Sequence, residues 1–170
     1  ISDMIQSLTG TFTPIAQRKN IMLKVENTCD LTHMDSDRLR LEQILANLLS
    51  NAIKFTHQGT VTLFISKSGN KKNPTVTFSV HDTGIGISEN KLEQIFEPFK
   101  QADETVTRKY GGTGLGLSIS RQLTDLLGGH LTVKSKLGSG SSFICEVPAT
   151  LNTIASNQKI LNSYKLNGYH

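Results

Sequence analysis

Asn47, Asn51 and Lys54 recur at i, i+4 and i+7, a spacing that aligns side chains on one narrow stripe of an α-helix. Asn is a poor helix-interior residue, because its amide competes with the backbone for hydrogen bonds. Two of them one turn apart, beside a lysine, suggest a task. Their amide oxygens are hard neutral ligands, suited to one corner of a hydrated Mg²⁺ whose other positions go to water and phosphate oxygens. Lys54 would then offset phosphate charge. An ordinary solvated helix face is the competing reading.

Asp82-Thr83-Gly84-Ile85-Gly86 ends a run of alternating apolar residues and enters a turn. Glycine there permits close backbone approach to a ligand. A carboxylate at a strand end can accept a hydrogen bond from the exocyclic amine of a base, which favours adenine over guanine. Gly111-Gly112-Thr113-Gly114-Leu115-Gly116-Leu117 leads straight into a helix, where free N–H groups form a ready anion site. It is not a Walker loop, since Leu117 and Ser118 follow Gly116 with no lysine. A dinucleotide fingerprint fails as well, for want of a third glycine at Leu117 and of a preceding strand.

These residues need elements to hold them. The apolar set Leu41, Ile44, Leu45, Leu48, Leu49, Ala52 and Phe55 fills one arc of a helix over Arg38–Phe55, which Ser36 and Asp37 can start. Residues 1–8 read as the tail of a helix, and Pro14 opens a short helical patch through Ala16 and Lys19. Alternation predicts strands over 21–25, 60–66, 75–81, 130–135 and 142–147. Residues 68–74 have hairpin-loop composition, and Gly138-Ser139-Gly140 is a turn. Ser88 is expected to cap a short helix through Phe96. Residues 97–110 lack periodicity and read as a long mobile loop. A last helix over 115–127 is stopped by Gly128-Gly129. The expected fold is an α/β (α+β) two-layer sandwich, a mixed and largely antiparallel sheet with helices on one face.

Composition removes other classes. A chain of 170 residues suits one compact domain. No apolar stretch is long enough to cross a bilayer, so no direct membrane contact is expected. The net charge of +4 is scattered, with pairs only at Lys71-Lys72 and Arg108-Lys109, which argues against nucleic acid as a partner. Cys29 and Cys145 show no metal or redox spacing and read as packed thiols in a reduced compartment. From Thr150 the sequence turns rich in Asn and Ser. The division is therefore 1–9 as the end of a preceding dimerisation helix, 10–149 as the domain, and 150–170 as a linker or tail.

In combination and in this order, the motifs resemble the catalytic ATP-binding domain of sensor histidine kinases, of the Bergerat or GHKL type. Residues Asn47-Leu48-Leu49-Ser50-Asn51-Ala52-Ile53-Lys54-Phe55 are similar to the family's N-box. Asp82-Thr83-Gly84-Ile85-Gly86 resembles its first glycine box, Phe96-Glu97-Pro98-Phe99 its F-box, and Gly112-Thr113-Gly114-Leu115-Gly116 its second glycine box. Gly138-Ser139-Gly140-Ser141 with Phe143 looks like the domain's last turn. The resemblance covers about residues 10–148 and is strongest to hybrid kinases, which carry receiver domains.

The resemblance implies ATP and Mg²⁺ as ligands, with Asn51 on the metal and Asn47 beside it in the phosphate region. It puts Lys54 on phosphate, Phe55 along the pocket and Asp82 on the adenine amine. Gly84 and Gly86 would shape the base pocket, while Gly112, Thr113, Gly114, Leu115 and Gly116 would offer backbone to the phosphates. Gln101 stands where some relatives place an arginine, which makes Arg108 and Lys109 candidates to supply that charge. Asn47, Lys54 and Arg108 are the expected catalytic set.

None of the five histidines has the context of the family's phosphoacceptor: His33, His57, His81, His130 and His170. The implied activity is a histidine protein kinase reaction with the acceptor histidine on a dimerisation domain absent from this chain. Its downstream partner would be a response regulator or receiver domain, and its setting the cytoplasmic side of a membrane-anchored sensor. Two alternatives stand beside it: a nucleotide-binding regulatory module without chemistry, and a GHKL-type ATPase. The latter typically places a water-activating glutamate where Asn47 stands.

Overall fold

The computed structural model describes residues 1–30, 34–69, 73–99 and 114–149. Helix α1 spans Ser2–Arg18 without a break at residue 9 or at Pro14, in place of the two helical pieces expected. Its stripe Met4, Ile5, Leu8, Phe12 and Ala16 is buried along the whole length. A helix-interior proline costs about 3 kcal/mol. Here Pro14 points outward, and the buried residues on either side outweigh it.

Asn20, at φ 55, turns the chain into β1 (Ile21–Asn27). Helix α2 (Arg38–Phe55) starts at Asp37, whose carboxylate accepts the Arg40 N–H at 3.1 Å. Leu8 and Phe12 share a groove with Leu39, Gln43 and Ala46. The Lys19 side chain reaches Ile53 and Thr56. The two helices thus run side by side in the same direction.

β2 (Gly59–Gly69) pairs in parallel with β1, the α2 crossover making this possible. β3 (Pro74–Asp82), β4 (His130–Lys136) and β5 (Gly140–Pro148) complete an antiparallel remainder, in the order β1-β2-β3-β5-β4. Leu63, Val80 and Phe143 lie in register across three strands, as do Ile65, Phe78 and Cys145. With Val61, Val76 and Val147 they form a wholly buried face. α1, α2 and α3 (Gly116–Leu126) cover it. The other face carries Thr77, Ser79 and His81, partly or fully exposed. This is the mixed sheet with helices on one side that the sequence predicts.

Residues 88–96 differ from expectation. They form two 3₁₀ turns, Glu89–Lys91 and Gln94–Phe96, and the Ser88 side chain caps neither. Ile95 is their one buried residue, so no amphipathic face exists to repay helix nucleation. Of the loop predicted over 97–110, only 97–99 are described; there Phe99 adopts φ 63 and donates its N–H to the Gly114 carbonyl at 3.2 Å. At the far end of the sheet Ala149 donates to Pro74 O and accepts from the Asp35 N–H.

Candidate nucleotide-binding site

The end of α2, the turn after β3, the first turn of α3 and the β4–β5 turn meet at one end of the sheet. Asp82 closes β3 and is 9% exposed. Its carboxylate accepts the Gly84 N–H at 2.8 Å, and the Ser141 backbone lies near enough to favour its ionised form. Burial raises its pKa above the ordinary aspartate value, while the two backbone donors and His81 pull it down. The neighbouring His81 is held below its usual value by burial, against the Asp82 charge. The Gly84 amide thus aims the carboxylate and leaves it spare acceptor capacity.

Gly84 lies so close to α2 that a Cβ there would stand 2.3 Å from the Phe55 carbonyl oxygen. That carbonyl accepts the Ile85 N–H at 3.2 Å. Gly86 has φ +69, and a Cβ on it would come within 2.1 Å of Lys136 O. The loop is fastened from the other side as well. Gly138 N–H reaches Ile85 O at 2.7 Å, and Ile87 N–H reaches Ser135 Oγ at 2.8 Å. Thr83 Oγ1 accepts the Thr60 N–H at 3.0 Å.

On α2, Asn47, Asn51, Lys54 and Phe55 are all half-buried. Asn47 Nδ2 donates to Ser120 Oγ on α3 at 2.8 Å. Its Oδ1 faces Gly116, where a Cβ would approach to 2.5 Å. Asn47 therefore ties the polar stripe of α2 to the start of α3. The Lys54 ammonium lies 5.0 Å from the Phe55 ring centroid, within cation–π range. Leu115 caps α3 with no side-chain hydrogen bond. The first turn of α3 is a helix N-terminus, where anions are favoured. Gly114, at φ +70, sets the approach to that turn.

The structure brings Asn47, Asn51, Lys54, Phe55, Asp82, Gly84, Gly86, Gly114, Leu115 and Gly116 to this end of the molecule. Gln101, Arg108, Lys109, Gly112 and Thr113 lie outside the described residues. Sequence reasoning missed Ser120, Ser135 and Ser141. No local pattern marks Ser120, whose partner Asn47 lies 73 residues away. Among the described residues, no group of three or more His, Cys, Asp or Glu is placed to hold a metal. No helix of the described residues is long and apolar enough to cross a membrane.

Gly84, Gly86 and Gly116 thus stand where any side chain would strike Phe55 O, Lys136 O or the Asn47 amide, so the loops close directly onto α2 and β4 around Asp82. The family described as histidine kinase-, DNA gyrase B- and HSP90-like ATPases matches residues 36–151. The chain is 42% identical over 149 residues to the autoinducer 2 sensor kinase/phosphatase LuxQ of Vibrio vulnificus, covering 86% of this chain and 17% of that protein. It is 47% identical over 127 residues to the circadian input-output histidine kinase CikA of Synechococcus elongatus, covering 74% and 16%. The chain thus spans about a sixth of the length of these relatives.

Among solved structures, the catalytic domain of histidine kinase ThkA matches with TM-score 0.74 and 30% identity, covering 88% of this chain and 95% of that one. Full-length ShkA in complex with AMPPNP matches with TM-score 0.75 and 35% identity, covering 88% and 30%. The chain belongs to the histidine kinase-, DNA gyrase B- and HSP90-like ATPase family, as an ATP-binding catalytic domain of the histidine kinase kind.

Proposed function

We propose that this domain holds ATP with Mg²⁺ and presents the γ-phosphate to a histidine on a dimerisation domain outside this chain. The observation that carries the reading is the buried Asp82 carboxylate at the end of β3, held by the Gly84 N–H and keeping acceptor capacity to spare. Asp82 accepts the adenine amine, Gly84 and Gly86 admit the base, and Phe55 lines its pocket. Asn51 ligates the metal through its amide oxygen and Lys54 meets phosphate. Asn47 holds α3 in place, so that Gly114, Leu115 and Gly116 present backbone to the phosphates. Gly112 and Thr113 extend that loop, and Gln101 and Arg108 are proposed to reach the phosphates from the segment before it.

Bound Mg²⁺ would neutralise charge on the β- and γ-phosphates. The chain's own contribution is positioning and charge, since phosphoryl transfer asks for little covalent work from the protein. The hydrolytic alternative needs a base near the γ-phosphate. Asn47 cannot deprotonate water, and its amide is engaged with Ser120.

The relatives are sensor kinases, which supports a response regulator or receiver domain as downstream partner and a cytoplasmic position in a membrane-anchored protein. The unbroken α1, with Met4, Ile5 and Leu8 in the core, leads us to include residues 1–9 in the domain that extends to 149. Residues 150–170 stay a proposed linker. Calorimetric titration with ADP and ATP, with and without Mg²⁺ and against GTP, tests the reading. Adenine-selective, metal-assisted binding is expected, and no acid-labile phosphate on the isolated chain. Equal affinity for GTP, or stable self-phosphorylation, would refute it.

A further inference from the structure

We infer that Lys19, which lies outside every motif of the nucleotide site, is a positioning residue that sets nucleotide affinity through the end of α2. A helix leaves its last four carbonyls without internal partners. In α2 each is accounted for. Ala52 O accepts both the N–H and the hydroxyl of Thr56, at 3.1 and 2.7 Å. Ile53 O and Lys54 O accept from the Lys19 ammonium at 2.5 and 3.1 Å. Phe55 O accepts the Ile85 N–H. Lys19 takes a further carbonyl just past the helix, Thr56 O at 3.3 Å.

Three donors on one ammonium meet three carbonyls, at the helix end where a cation is favoured. The same turn carries Lys54 and Phe55, and its last carbonyl holds the first glycine loop. Gly84 has no slack there, since even a methyl group would collide with Phe55 O. The orientation of the Phe55 peptide therefore fixes where Gly84 sits and where Asp82 is aimed. Lys19 fixes that peptide by holding the carbonyls on either side of it. The left-handed Asn20 makes this reach possible, because it turns the chain into β1 directly after Lys19.

The inference rests on the nucleotide reading of the site, and the test separates the two. ADP titration is run on the unaltered chain, Lys19→Met and Lys19→Arg, with hydrogen exchange of the Ile85 amide compared against amides in the middle of β3. Lys19→Met is expected to bind ADP about tenfold more weakly and to exchange Ile85 faster while mid-β3 amides are unchanged. Lys19→Arg is expected to recover most of the affinity.

A folded Lys19→Met with lowered melting temperature but unchanged ADP affinity would overturn the inference and leave the nucleotide reading intact. An unaltered chain that binds no ADP would overturn both. If Lys19→Met does not fold, the unaltered chain still decides. Saturating ADP must then shift the NMR signals of the Lys19 ε-methylene, and an unmoved signal rejects the coupling.

Discussion

Replacing Asp82 with asparagine changes one atom in a site where each lone pair has a use. The carboxylate offers about four acceptor positions, and the Gly84 N–H occupies one. An asparagine oxygen offers two, and its NH₂ would face a backbone donor or the base amine. The Gly84 N–H and the base amine then compete for one oxygen, and the ligand loses because the backbone group is fixed. The loss is one hydrogen bond to a charged acceptor, about 1.5–3 kcal/mol, or about 10- to 160-fold in Kd. Folding should suffer far less. Burial already penalises the ionised Asp82, and removing the charge relieves that penalty while weakening one backbone bond. We expect the melting temperature to move by no more than about 5 °C. Calorimetric titration of ADP and GDP, paired with thermal unfolding, reads both quantities and shows whether adenine selectivity collapses. A folded Asp82→Asn chain with unchanged ADP affinity would remove Asp82 from the base contact.

Three other outcomes are expected. Gly116→Ala drives a methyl against Asn47 Oδ1, so it should cost about 1–3 kcal/mol in urea unfolding and weaken ADP binding; a neutral result would mean that α2 and α3 separate freely. ADP affinity should fall on acidification because the base amine needs the ionised carboxylate, and the fall should begin above the ordinary aspartate range because burial raises the pKa of Asp82. Its stability contribution has the opposite sign, complete below the unfolded pKa and lost as pH rises through the folded one; flat affinity with pH in the unaltered chain would contradict this. The Cys145 thiol is pushed up to about 11 by burial, leaving about one thiolate in a thousand near pH 8. A thiol reagent should therefore modify Cys29 alone in the native chain and both cysteines after unfolding, as mass spectrometry can show.

Helix α2 and the five strands were legible because their periods of 3.6 and 2 are written in single runs of residues. Gly84, Gly86 and Gly116 could be singled out for a similar reason, since only glycine tolerates such close approach. Helix α1 was misread at Pro14, because a local breaker is visible in sequence and the core that overrides it is not. The 3₁₀ turns at 89–96 reverse that lesson: a plausible cap at Ser88 had too little apolar surface behind it. The roles of Ser120 and Lys19 escaped notice because their partners lie 73 and 34 residues away. No window on the chain places them beside Asn47 and Ile53.

The pairing of Ala149 with Pro74 and Asp35 has a mechanical consequence. β3 runs from that pairing to Asp82, so about 26 Å of sheet separates residue 149 from the carboxylate. Because α1 runs alongside α2 in the same direction, Ile1 also lies toward that distant end. Both flanks of the domain thus attach at the back, with the nucleotide cradle at the front. From the back forward, α1 and α2 lie along each other, sharing a groove at Leu8 and Phe12 and joined again at Lys19.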